Sequence, residues 1–160
     1  VSTLRITFTP GSIAFDVDDQ SGSIPVGPQS LAADLRHDPP QPEELTNVIG
    51  LVLDHMEDIE REVPGAMFAD RVEVCGQGVD VIVAVEVGGA AELPFELSRD
   101  AAEDVFRTLV TEPARDRVRN PGLPEHEVHR VLGVASALVG VLRFLRVDEV
   151  WVVAPPMVAA

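Results

Sequence analysis

The sequence predicts an α/β domain, a mixed sheet of about five strands opened by an antiparallel three-strand meander, with helices packed on it. Three observations carry that reading. Leu4-Arg5-Ile6-Thr7-Phe8 and Ile13-Ala14-Phe15-Asp16-Val17 alternate apolar and polar residues, and Thr9-Pro10-Gly11-Ser12 lies between them. That is the pattern of two half-buried strands joined by a turn. Two later runs, from Pro42 and from Pro124, repeat apolar residues at helical spacing instead. The chain has 160 residues, 46% of them hydrophobic. At that length residues 1–160 form one domain that buries roughly 70% of its unfolded surface.

Each element follows in order. Asp18 to Gly22 (DDQSG) is a turn cluster, and Ser23-Ile24-Pro25-Val26 reads as a short third strand. The proline-rich HDPPQP leads into a helix. Pro42 suits its first position, and Glu43 and Glu44 suit its positive end. Leu45, Val48, Ile49, Val52, Met56 and Ile59 form its apolar face. Arg71 to Cys75 is a strand ending at Gly76-Gln77-Gly78. Val79 to Val87, apolar and β-branched after a glycine turn, is compatible with strand or helix. Ser98 is a good N-cap for a helix whose inner face is Ala102, Val105, Phe106, Leu109 and Val110. Pro121-Gly122 breaks the chain, and a long helix runs from Pro124, with Gly133, Ser136 and Gly140 permitting a close neighbour. Val147 to Val153 closes as a strand before Pro155-Pro156. Three strands, helix, strand, helices and strand is the order of a ribonuclease-H-like half domain, the repeating unit of the actin-like fold.

Charge narrows the partners. There are 27 acidic residues against 12 basic ones, all arginine, for a net charge of −15. No arginine track forms, so a nucleic-acid backbone meets net repulsion, and a basic membrane-binding face is missing. The apolar patch from Leu132 to Leu142 falls well short of the roughly 20 residues a membrane span needs. The single Cys75 excludes an internal disulfide and any multi-cysteine metal site, and fits a reducing compartment. The expected location is cytoplasmic. Acidic residues keep the 38–62 and 98–104 segments wet. The helix from Val128 to Leu145 is apolar on more than one face. It is either buried within its own chain or the contact of an isologous homodimer, for which a sheet edge is the other candidate.

Short constellations add little chemistry. Asp16, Asp18 and Asp19 fail the calcium-loop spacing, since Ser21 stands where glycine is needed and Gly27 where the closing glutamate belongs. His126 and His129 lie three apart without an identifiable third metal ligand. Gly76-Gln77-Gly78 is neither a P-loop nor a dinucleotide fingerprint. Cys75 has no basic or histidine neighbour in sequence, and Ser12 and Ser98 lack a nucleophile-elbow context.

The run NPGLPEHEVHRVLGVASALVGVLRFLRVDEVWVV resembles the C-terminal part of the Ppx/GppA phosphatases, the exopolyphosphatases and guanosine pentaphosphate phosphohydrolases. Asp116-Arg117, Ser23-Ile24-Pro25-Val26-Gly27, the segment from Asp38 to Leu45 and Leu97-Ser98-Arg99-Asp100 are similar to further family motifs in the same order. The likeness covers nearly the whole chain but only the second of the family's two actin-like domains. The resemblance implies a phosphoanhydride hydrolase acting on polyphosphate or a guanosine polyphosphate, with Mg²⁺ as cofactor. It places phosphate-binding residues at Gly11, Ser12, Gly76 and Gly78.

The same comparison shows departures. Where the family's first loop reads Asp-Ile-Gly-Gly-Gly-Ser-Thr-Glu, this chain has Thr7 to Ala14, TFTPGSIA, and only Gly11 and Ser12 match. Thr7 and Ala14 replace the two acids, and Pro10 donates no N–H. Val79 replaces the hydroxyl residue of the second loop, and Glu127 and His129 replace an arginine and an aspartate. The family's catalytic base belongs to its first domain, so no catalytic or metal-binding residue is assigned here. The expectation is a catalytically degenerate relative that works as a binding or regulatory protein with a protein partner or a second copy, and without a cofactor. The alternative is a Mg²⁺-dependent hydrolase completed by another chain, and a third reading is a small acidic interaction domain.

Overall fold

The computed structural model describes residues 1–156. The chain opens with three strands, β1 (Thr3–Phe8), β2 (Ile13–Val17) and β3 (Gln20–Ile24), paired as an antiparallel meander. Arg5 lies opposite Asp16 and Phe8 opposite Ile13, the expected hairpin register. The third strand starts earlier than the turn residues suggest. Asp18 takes φ 52°, a left-handed conformation that Asp tolerates, and closes a tight turn so that Val17 already pairs with Gln20.

Helices α1 (Pro28–Ala33) and α2 (Pro42–Glu62) follow. Gln41 caps α2, Pro42 occupies its first position, and the Glu44 side chain reaches back to the Gln41 N–H. After a 3₁₀ turn at Pro64–Phe68, strand β4 (Arg71–Gly76) lies parallel to β1. Val79–Val87 resolves as helix α3 despite its β-branched run. Gly78 at its start and Gly88 at its end both take left-handed conformations, and Gly88 N–H closes on the Ala84 carbonyl at 2.9 Å. The two caps fix the helix between them and override β propensity.

Strand β5 (Phe95–Ser98) leads directly into α4 (Arg99–Thr111), whose Ala101 N–H donates to the Ser98 hydroxyl at 3.0 Å. The N-cap is as expected; the strand is an addition, bringing the sheet to six strands rather than about five. Four residues of alternation are too few to register as a strand in sequence. The short α5 (Ala114–Arg117) and a 3₁₀ turn at Glu125–Glu127 precede α6 (Arg130–Leu145), so the long helix begins later than Pro124. Strand β6 (Glu149–Val152) then inserts between β4 and β5.

The strand order is β3-β2-β1-β4-β6-β5, with β1, β4 and β6 parallel. One face carries Ile6, Phe15, Val74, Val152 and Leu97, all buried, and the helices cover it. The opposite face is polar, with Arg5, Asp16, Arg71, Glu73, Trp151 and Glu96. Helix α6 lies against α1, α2 and α4, and its small-residue face is filled by its own chain. A Cβ on Gly133 would stand 1.9 Å from the Pro28 carbonyl oxygen, and one on Gly140 2.9 Å from Val52 Cγ1. Of the two readings of this helix, burial within its own chain is the one observed. Among the described residues no helix is long and apolar enough to cross a membrane.

Candidate functional site

Parallel pairing of β1 and β4 sets Phe8 beside Gly76, and Gln77 N–H donates to the Phe8 carbonyl at 3.0 Å. The structure thus brings Gly11 and Ser12 to the same sheet end as Gly76 and Gly78. Carboxyl ends of strands in open α/β sheets are where such folds bind ligands.

The β1–β2 corner is closed on itself. Thr9 N–H donates to the Ser12 carbonyl at 2.9 Å, and Ser12 N–H donates to Thr9 Oγ1 at 3.1 Å. The Thr9 and Ser12 hydroxyls share a bond at 2.7 Å. Pro10 has no N–H, and its carbonyl accepts from Gln29 N–H at 2.9 Å, tying the corner to α1. Gly11 is left as the residue whose amide the corner itself does not use.

The β4–α3 turn needs glycine for packing. Gly76 has φ 104°, and a Cβ there would come within 2.2 Å of the Phe8 carbonyl oxygen. Gly78 has φ 84° and faces Val134 Cγ2 at 2.6 Å from an added Cβ. Strand-to-strand and helix-to-turn contact explain both glycines. The first-turn amides of α3 point a positive helix end at this region, but Asp80 in that turn already supplies a negative charge. Gln77 Oε1 is buried with no hydrogen-bond partner among the described residues. A carbonyl oxygen accepts, so it would satisfy a donor and repel a phosphate oxygen. A crevice of about 180 Å³ next to the turn is lined by Gly76, Val79, Asp80, Leu93 and residues 152–155 and is largely apolar.

The residues of the β1–β2 corner do not fit Mg²⁺. That ion takes one or two carboxylates plus substrate phosphates. Thr7 and Ala14 offer none at the corner, where the Thr7 hydroxyl instead meets Cys75 Sγ at 3.6 Å. Cys75 is buried and free. Among the described residues no three His, Cys, Asp or Glu side chains converge to hold a metal.

The long-helix replacements are structural. His129 precedes α6, and its Nε2 donates to the Ala32 carbonyl at 2.9 Å, while His126 is exposed in the preceding turn. Glu127 is buried and ion-paired with Arg130, whose Nε donates to it at 2.9 Å; that bond holds the Glu127 carboxyl below the usual range. Sequence reasoning reached Arg117 only as half of the Asp116-Arg117 motif and gave it no role. Its guanidinium, 1% exposed, donates to the carbonyls of Leu109, Val128 and Glu112 at 2.9, 2.8 and 2.7 Å, and to Asp38 at 3.3 Å. It ties the α1–α2 connection to the α4–α6 segment. An arginine within a short helix gives no sequence signal for that role.

The geometry defines a class before it suggests any activity: an actin-like α/β half domain whose helices gather on one sheet face. An exopolyphosphatase-like protein superposes with a TM-score of 0.88 at 16% identity, over 96% of this chain and 55% of its own. The Aquifex aeolicus PPX-GPPA enzyme gives 0.84 at 16% identity, over 96% and 54%. An exopolyphosphatase from Cytophaga hutchinsonii gives 0.74 at 16% identity, over 96% and 53%. This chain has the fold of one half of the Ppx/GppA phosphatases and spans about half the length of these structures. No protein-family model and no curated protein sequence matches it.

Proposed function

We propose that this chain is a catalytically degenerate relative of the Ppx/GppA phosphatases that works by binding or regulation and has no phosphohydrolase activity of its own. The observation that carries this reading is the β1–β2 corner. Two of its four residues bond each other through amide and hydroxyl, and a third is proline. A phosphate cradle needs several free N–H donors converging on the ligand. Gly11, Ser12, Gly76 and Gly78 then serve as turn and packing residues rather than phosphate ligands. The half domain corresponds to the family's second, and its partner is a protein.

A second reading has one observation in its favour, the coverage of only about half of each neighbouring structure. It is a Mg²⁺-dependent hydrolase of polyphosphate or guanosine polyphosphate completed by further protein. Phosphate release from both substrates with Mg²⁺ separates the readings. The expected result is no turnover, with and without a Ppx/GppA first domain added. Release that Ser12→Ala or Gly78→Ala abolishes would establish the second reading.

A further inference from the structure

At the sheet end opposite these loops, the 3₁₀ turn Pro64–Phe68 holds Ala66 in the core and turns Phe68 outward, 82% exposed. Leu53, Met67 and Phe144 lie half-buried beside it, in a groove of about 800 Å³ between α2 and the end of α6. An exposed aromatic next to further apolar surface is the side-chain type that anchors protein contacts.

The groove has a charged wall. Asp54, Glu57 and Glu60 recur every third residue along α2, all exposed, and none has a hydrogen-bond or ion-pair partner among the described residues. The C-terminal end of α6 adds its negative dipole end to the other wall. Arg143 on that wall is engaged by Glu103 through two bonds of 2.7 and 2.8 Å. Arg146, in a left-handed cap at φ 58°, is the remaining cation.

We infer that this groove docks a basic amphipathic helix of a partner protein, with apolar residues on Phe68, Met67 and Phe144 and Lys or Arg against Asp54, Glu57 and Glu60. Charge selects this occupant. A second copy docked groove to groove would bring another −15 and set the same acidic wall against this one. A cationic partner is complementary to both the wall and the whole chain, which also steers its approach. A helix with apolar residues three and four apart matches the shape of a groove between two helices. The inference rests on the binding role proposed above and names its partner. Turnover by the isolated chain would overturn that role and leave the groove untested by it.

The test is fluorescence anisotropy with a labelled amphipathic Leu/Lys helical peptide of about five turns. The probe should bind, and both Phe68→Ser and the double variant Glu57→Gln, Glu60→Gln should weaken it about tenfold or more. Val87→Ser, an exposed apolar position elsewhere, should leave affinity unchanged. A Leu/Glu peptide should not bind. Equal affinity in all variants, or binding of the Leu/Glu peptide, would overturn the inference. So would a homodimer that Phe68→Ser splits, which would give the groove to a second copy.

Discussion

The two ends of the sheet treat their polar groups differently. Where β1 and β4 finish, the loop backbone is bonded internally, Thr9 with Ser12, Pro10 with Gln29 and Gln77 with Phe8, and the buried Gln77 side-chain oxygen is left without a partner among the described residues. The start of α2 follows the same pattern. Glu44 accepts from the backbone N–H groups of Gln41, Arg36 and His37, and the first two bonds do most to hold its carboxyl down to about 2. Where β4 and β6 begin, groups are left over. Phe68 faces solvent, Asp54, Glu57 and Glu60 of α2 have no partner among the described residues, and Glu149 is pushed up by its hydrogen bond and charge contact with Glu96. The loop end of the sheet is thus the more self-bonded of the two surfaces.

The contrast can be broken most forcefully at Gly133. Alanine there would drive a Cβ into the Pro28 backbone, which a side-chain rotation cannot relieve. The expected loss is about 3 kcal/mol in urea unfolding. Phe68→Ser, at the open end, should change stability by no more than about 0.5 kcal/mol. Comparable losses in the two variants would erase the distinction.

A smaller effect is expected at Thr9. Thr9→Val keeps the shape but removes the hydroxyl that binds Ser12 three ways, through its amide, carbonyl and side chain. The loss should be about 1 kcal/mol. If the corner is a fold element, Thr9→Val should lower stability and create no phosphate affinity, and isothermal titration with inorganic phosphate reads the second part.

The smallest effect is a pH slope. Glu44 has its folded pKa lowered from 4.5 to about 2. Its contribution is therefore complete above about pH 4.5 and is lost as pH falls toward 2. Thermal melts across that window should show a shallower loss in Glu44→Gln than in the parent chain. Identical slopes would mean that the three backbone bonds to Glu44 contribute nothing to the fold.

Much of this was legible along the chain. The β1–β2 hairpin, the Pro42 helix start and the Ser98 cap are local patterns, and each is a contest between neighbouring residues alone. Pro10 already announced a corner short of donors. The helix at Val79–Val87 was not legible, because its β-branched run is overruled by two left-handed glycine caps, the first of them packed on Val134. The four-residue β5 becomes a strand only because β6 lies beside it.

By itself, then, the sequence determined periodicity, turn chemistry and charge: an α/β domain, strongly acidic, with Pro10 removing an N–H from its first corner. Those properties arise within a few residues of each position, where backbone geometry and side-chain type act directly. Only the tertiary structure decided which neighbour meets which. It sealed α6 under α1 and α2, set the buried Arg117 guanidinium on Asp38, and set Phe68 beside Phe144 and Asp54, Glu57 and Glu60 of α2. Contacts between residues tens of positions apart depend on the packing of whole elements, and no local pattern encodes them.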